Sequence, residues 1–216
     1  MVKVELHGYQ YSVYTWIGRL ALHEKGIGYQ GVEVNPFADD VPAGYLAMHP
    51  FRRVPTLVNG DFVLYETNAI TRYIDEAFPG PKLQPNEPAQ RARVDHIISV
   101  IDNYAYWPLV RQVFSHGVFR PRLGRPSDQS EYQRGLEAAQ LVLLALDRLA
   151  CGGEFLVADS LSLADIHLAP MIGYFTSAPS GEVLLKQHSR LCTWWSAMSL
   201  RKAFVETKPV LSEPSA

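Results

Sequence analysis

A chain of 216 residues, 47% hydrophobic and 19% charged, is long enough for two compact domains with sizeable cores. Its formal net charge of −2 excludes the basic footprint that nucleic acid or an anionic membrane would require. Only two cysteines occur, Cys151 and Cys192, with no CxxC and no paired Cys/His clusters, so neither a zinc site nor a disulfide framework is expected, no metal is called for, and a reducing cytoplasmic setting fits best.

The opening MVKVELHG has no basic region leading into a long apolar core, so no signal peptide is expected, and the longest apolar run, residues 141–146, is too short to span a bilayer. Val2, Val4 and Leu6 share one face of a predicted first strand. Ile17, Leu20 and Ala21 mark a helical face over residues 14–25, with Gly26 as its C-terminal cap. Residues 28–35 alternate again, which completes a βαβ unit with right-handed crossover. A short helix at PAGYLAM follows. Thr56-Leu57-Val58 and Phe62-Val63-Leu64 then flank Asn59-Gly60-Asp61, and Asn-Gly predicts a hairpin with positive φ at both central residues. Ala69, Ile70, Tyr73, Ile74 and Ala77 continue as an amphipathic helix.

Four prolines in residues 79–88 read as an extended linker. Strand signals stop after it. Val94, Ile97, Ile98 and Ile101 open a long helix with a bend expected at Trp107-Pro108. Leu136, Ala139, Leu143 and Leu146 mark another. Ser162-Leu163-Ala164-Asp165 has the spacing of a capping box, with Asp standing in for Glu, and IHLAPMIGYF behind it is apolar nearly all round. The predicted architecture is an α/β domain over 1–80, a linker over 81–88 and an all-helical domain over 89–216.

Two details inside the first domain carry chemistry. Pro55 opens a strand, which is an ordinary edge feature. The alternative is a cis Val54-Pro55 bond that turns the Val54 N–H and C=O outward to pair with a peptide-like ligand. Glu66-Thr67 open a helix. Thr67 reads as a plain N-cap and Glu66 as a dipole partner. They also read as a recognition pair, the helix N-terminus taking a carboxylate and Glu66 an ammonium.

The run VPTLVNGDFVLYETNAITRYID, residues 54–75, resembles the glutathione-binding segment of cytosolic glutathione transferases, with its VPxL, hairpin and E-S/T-x-A-I-x-x-Y. SLSLADIHLAP resembles that family's capping-box helix, and the domain order agrees along essentially the whole chain. The resemblance implies a thioredoxin-like first domain, a helical-bundle second domain, glutathione as co-substrate, a small hydrophobic electrophile as second substrate, and a homodimer. It also implies that a cis Pro55 presents the Val54 backbone to the cysteinyl part of glutathione, and that Glu66 and Thr67 hold the γ-glutamyl end.

Such a reaction needs a thiolate. A free thiol has a pKa of about 8.5, and one hydrogen bond to the charged sulfur, worth roughly 1.5–3 kcal/mol, lowers that by about one to two units. A hydroxyl at the start of the first helix could donate that bond. Aligning residues 8–26 with the plant-type (phi) and related bacterial transferases puts Ser12 in the catalytic slot, with His7-Gly8 matching the start and Leu22-His23-Glu24-Lys25 the end. Ser12 also reads as a helix N-cap, and Tyr9, Tyr11, Tyr14 and Thr15 stand close enough to compete. The chain departs from the plant-type pattern twice. Trp16 and Ile17 stand near an expected arginine, and Asp40-Val41 replace the His-Lys pair that holds the glycine carboxylate. His49, Arg52 and Arg53 are the substitutes, Arg53 favoured for its place just before Val-Pro. Tyr11, Tyr106, Trp107, Val110 and Phe114, with Phe119, are expected to line the electrophile pocket, although aromatics at helical spacing equally suit a core or subunit interface. Glutathione transfer to an electrophile is the expected activity. The competing expectations are peroxidase action on organic hydroperoxides and a non-catalytic binding or interaction role, the latter favoured by the altered carboxylate contacts.

Overall fold

The computed structural model describes residues 3–211. Val2, expected on the first strand's inner face, lies outside them. The chain divides into two compact units, the first made of Met1–Lys82 with Glu206–Pro209, the second built on Leu83–Val205.

Among the described residues the first unit holds four strands and three helices: β1 Val4–Gly8, α1 Val13–Glu24, β2 Gln30–Glu33, α2 Ala43–Met48, β3 Thr56–Asn59, β4 Phe62–Tyr65 and α3 Thr67–Ala77. The sheet order is β2-β1-β3-β4, with β1 parallel to β2 and the other two pairings antiparallel. Val4 and Leu6 point inward, as the alternation in VKVEL requires. Trp16, Ile17, Leu20 and Ala21 of α1 and Ile70 and Ile74 of α3 are fully buried. The hairpin turns one residue later than expected. Asn59 pairs with Phe62, so Gly60-Asp61 form the two-residue loop, and of these only Gly60 has positive φ (63°). That is the pattern of a type II′ turn rather than I′. The C-terminal return was not foreseen. Trp16 Nε1 donates to Thr207 Oγ1 at 3.1 Å, which binds the 206–209 segment to α1.

The second unit is all-helical: α4 Pro88–Val100, α5 Ile101–Phe119, α6 Gln129–Leu149, α7 Leu163–Phe175, α8 Pro179–Leu185, α9 Ser189–Met198 and α10 Lys202–Thr207, the last running into the returning segment. The linker is not free. Pro81 O accepts from Lys25 in the first unit, and Leu83, buried, accepts from the Leu163 N–H in the second. Glu87 caps α4 by accepting from Ala89 N and Gln90 N, with Pro88 at the first helical position. The bend expected at Pro108 takes another form. Residues 101–119 wind as a wide π-helix through Pro108, the last rung running from Arg120 N to Ser115 O. The i→i+5 bonding of such a helix is normally confined to single turns. Every residue of α7 is buried, as its all-round apolar sequence demands. Among the described residues no helix is long and apolar enough to cross a membrane.

Candidate active site

Strand register gathers the predicted site. His7 of β1 pairs with Thr56 of β3, and Thr56 pairs with Tyr65 of β4. These three residues form one row across the sheet, with paired Cα atoms about 4.5–5.5 Å apart. Ser12 follows β1 within a few residues, Val54-Pro55 lead into Thr56, and Glu66-Thr67 follow Tyr65. All three segments therefore leave the sheet at the same end.

Ser12 is the N-cap of α1, with extended backbone (φ −71°, ψ 125°), and its Oγ accepts from Thr15 N at 3.3 Å. A hydroxyl that accepts from the helix keeps its own O–H as a donor. The capping and catalytic readings are thus compatible in one side chain. Of the competing hydroxyls, Thr15 is buried, its side chain pressed so close to Gly8 that a Cβ there would lie 2.4 Å from Thr15 Cγ2. It belongs to the packing of β1 on α1. Tyr9 stands edge-on to both Tyr11 (5.4 Å) and Phe37 (6.1 Å).

The Val54-Pro55 bond is cis, Pro55 is buried, and neither the N–H nor the C=O of Val54 has a hydrogen-bond partner among the described residues. Glu66 is exposed and has φ 72° and ψ 115°, a region that costs a non-glycine residue of order 1–3 kcal/mol and persists only where the surroundings enforce it. Thr67 is not the N-cap. Glu66 takes that place without a capping side-chain bond, and Thr67 is the buried first residue of α3. The first N–H groups of α3 are left for an outside acceptor.

The substitutes for the missing His-Lys pair separate cleanly. Arg52, at φ 52°, spends its guanidinium on the carbonyls of Pro36 (3.2 Å) and Ala38, which removes it as a ligand residue. Arg53 is exposed. His49 is 2% exposed, so the expectation that it contacts glutathione directly is corrected: its ring lies stacked on Tyr65 at 4.6 Å. Burial pushes its imidazole below the usual histidine range, Glu66 pulls it back up, and Arg53 adds to the lowering. Tyr45 was missed. Its hydroxyl donates to Arg53 O at 2.5 Å, directly before Val54, and accepts from Thr56 Oγ1 at 3.1 Å. The only sequence signal was its four-residue spacing from His49.

The electrophile pocket needs a second correction. Val110 and Phe114 lie inside the helical unit, Phe114 stacked on buried Tyr174 at 4.0 Å and 6°. They are core, as aromatics at helical spacing usually are. Tyr106 is half-buried, and Trp107 is exposed with Arg111 6.0 Å over its ring. A separate crevice of about 450 Å³ between α1 and β2 is lined by Leu6, Thr15, Arg19, Tyr29, Val32 and Glu33 among others, and includes none of Ser12, Val54, Glu66 or Thr67.

Comparison with known proteins identifies the family. The family model described as glutathione S-transferase, N-terminal domain, matches residues 6–82, and that for the C-terminal domain matches residues 106–202. Glutathione S-transferase F10 of Arabidopsis thaliana is 30% identical over 198 residues, covering 90% of this chain and 92% of its own. The structure of glutathione S-transferase III in apo form superposes with a TM-score of 0.84 at 28% identity over 99% of both chains. That of glutathione S-transferase-I bound with lactoylglutathione gives 0.83 at 27% identity, over 95% of this chain and 98% of that one. With both domain models matched in order and a relative at this identity along nine-tenths of its length, the chain belongs to the glutathione S-transferase family.

Proposed function

We propose that this transferase lays glutathione across the sheet end marked by His7, Thr56 and Tyr65, and attacks an electrophilic carbon with its sulfur. The single observation that carries this is the convergence there of a helix-capping hydroxyl, an unpaired backbone amide at Val54 and an uncapped helix start beside Glu66. Val54 N–H and C=O pair with the cysteinyl backbone, Thr67 and the first N–H groups of α3 take the γ-glutamyl carboxylate, and Glu66 takes the ammonium. Arg53 is the exposed cation left for the glycine carboxylate once Arg52 is bound to Pro36 and Ala38. The Ser12 O–H donates to the sulfur and favours its ionised form. The thiol proton leaves to solvent. The sulfur lone pair forms the C–S bond, and the displaced pair departs on a leaving group or moves onto an adjacent atom. The electrophile is small and hydrophobic. The assembly is a homodimer in the cytoplasm, a reading supported by exposed Phe51, Phe62 and Val63 on the first unit and by the free cysteines Cys151 and Cys192.

Ser12→Ala removes the donor and leaves the binding groups. We expect the pKa of bound glutathione thiol to rise by about one to two units and turnover at neutral pH to fall about 10- to 100-fold, with little change in KM for glutathione. Ultraviolet thiolate absorbance against pH measures the first effect, and an unchanged titration would transfer the role to Tyr9 or Tyr11. Glu66→Ala should act oppositely. Loss of one charge-assisted contact at an exposed site raises KM for glutathione roughly tenfold while the thiol titration stays put. Unaltered affinity would reject the γ-glutamyl assignment.

A further inference from the structure

The six-residue helix α2 and its C-cap each send one side chain to the site from behind. Tyr45, buried, holds the Arg53 carbonyl and is stacked near His7 at 6.2 Å and 24°. His49, which ends α2, packs flat on Tyr65 at 4.6 Å and 29°, with the exposed ring of Phe51 edge-on to both. Tyr65 is the residue before Glu66, whose backbone stands at φ 72°. The Nδ1 atom of His49 is buried with no hydrogen-bond partner among the described residues. A ring in this place can hold the corner by its faces and also carry charge toward it.

We propose that His49 is a positioning residue for glutathione binding: its ring, stacked on Tyr65, fixes the Tyr65-Glu66 corner, and its charge state sets how much of the Glu66 carboxylate remains for the ligand's ammonium. This rests on the site proposed above. The rings of Tyr65, Tyr45 and Phe51 pack on His49, and the charges close enough to act on it are those of Glu66 and Arg53. Burial and Arg53 favour the neutral ring, so near neutrality the ring brings no cation to compete for Glu66. A proton gained as the pH falls puts a cation beside Glu66, which competes with the incoming ammonium. By linkage the ammonium, once bound, disfavours that proton equally. Affinity for glutathione therefore declines on acidification, in a range above that of the carboxylates and below that of the thiol.

The test uses the full chain and S-methylglutathione, whose sulfur has no proton to lose. Binding is measured for wild type, His49→Ala and His49→Phe at about pH 7.5 and about pH 5.5, with a melting curve for each variant. At the higher pH we expect His49→Ala to bind about tenfold more weakly and His49→Phe, which keeps a stacked ring, within about threefold of wild type. At the lower pH wild type weakens by about threefold or more while His49→Phe stays level. The thiol titration of glutathione itself should be the same in all three, which a general loosening of the fold would not allow. Wild-type affinity in His49→Ala, or an equal loss in His49→Phe, overturns the positioning role. Parallel pH curves for wild type and His49→Phe overturn the charge coupling, and decide the matter if His49→Ala does not fold. Failure of the wild type to bind S-methylglutathione would instead reject the site itself.

Discussion

Asp165→Ala should lower the stability of the helical unit by about 4 kcal/mol, enough to leave a domain of ordinary stability partly unfolded. Asp165 is fully buried at the third position of α7 and accepts four hydrogen bonds: Leu156 N (2.8 Å) and Trp194 Nε1 (2.9 Å) on Oδ1, Ser162 N (2.8 Å) and Ser162 Oγ (2.6 Å) on Oδ2. Ser162 returns the contact by accepting from the Asp165 backbone, which closes a capping box. Burial pushes the carboxyl upward, and these donors draw it back down. All four partners donate and none accepts, so the ionised form is the one this pocket suits. Alanine leaves those donors buried without an acceptor, and each costs about 1–3 kcal/mol before relaxation. Asp165→Asn keeps the shape but turns an NH2 toward two of the donors, so its loss should be smaller yet still clear. Urea unfolding followed by tryptophan fluorescence measures both. An alanine variant within about 1 kcal/mol of wild type would mean that water or local rearrangement supplies the missing acceptor.

That carboxylate also shows where sequence stops being legible. The reciprocal Ser162–Asp165 bonds span three residues, so the S-x-x-D spacing and the apolar run behind it were enough to place the helix start. The bonds from Leu156 and Trp194 span nine and 29 residues, and nothing local encodes them. The same division runs through the active site. Pro55 and Glu66 were visible because each marks the edge of a periodic segment, and Ser12 through the resemblance to the plant-type pattern. Their meeting at one sheet end followed only from register, His7 to Thr56 to Tyr65. His49 was read as a ligand residue because a cation was needed in place of the missing His-Lys pair, whereas the end of α2 packs its ring on Tyr65. Val110 and Phe114 were misassigned for the opposite reason. Helical spacing reports that a face is apolar, not whether a ligand or Tyr174 covers it. The hairpin shift from Asn59-Gly60 to Gly60-Asp61 is a smaller case, since one positive-φ residue suffices for a type II′ turn.

Lys25→Met should cost about 3–5 kcal/mol and weaken glutathione binding from a distance. In sequence Lys25 is an unremarkable cation at a helix C-terminus. In the fold it is 4% exposed, and its ammonium donates to Asp75 Oδ1 (3.2 Å), Asp75 O (3.1 Å) and Pro81 O (2.9 Å). Three acceptors match its three donors, which is what makes a buried ammonium tolerable. Gly80, at φ 123°, allows the linker to close over it, because a Cβ there would lie 2.7 Å from Lys25 O. Methionine fills the space but takes the ammonium away from Asp75 Oδ1, Asp75 O and Pro81 O. Adding Asp75→Asn to Lys25→Met should recover part of the loss, because a buried carboxylate deprived of its cation costs more than a neutral amide, and denaturant midpoints of the single and double variants measure the difference. The consequence for function follows from chain direction. β1 and β4 run the same way, so α1 and α3 both begin at the active-site end, one with Ser12 and the other with Glu66 and Thr67. Lys25 and Asp75 join the opposite ends of those helices. Cutting that tie frees one helix to shift against the other, and the contacts that need both helices in register loosen together. At a temperature where the variant stays folded, KM for glutathione should rise about threefold, while the thiol pKa, set by Ser12 within α1 alone, moves little. An unchanged midpoint would mean that the ion pair is replaced at no cost. A shifted midpoint with unchanged KM would mean that the sheet alone holds the two helix starts in place.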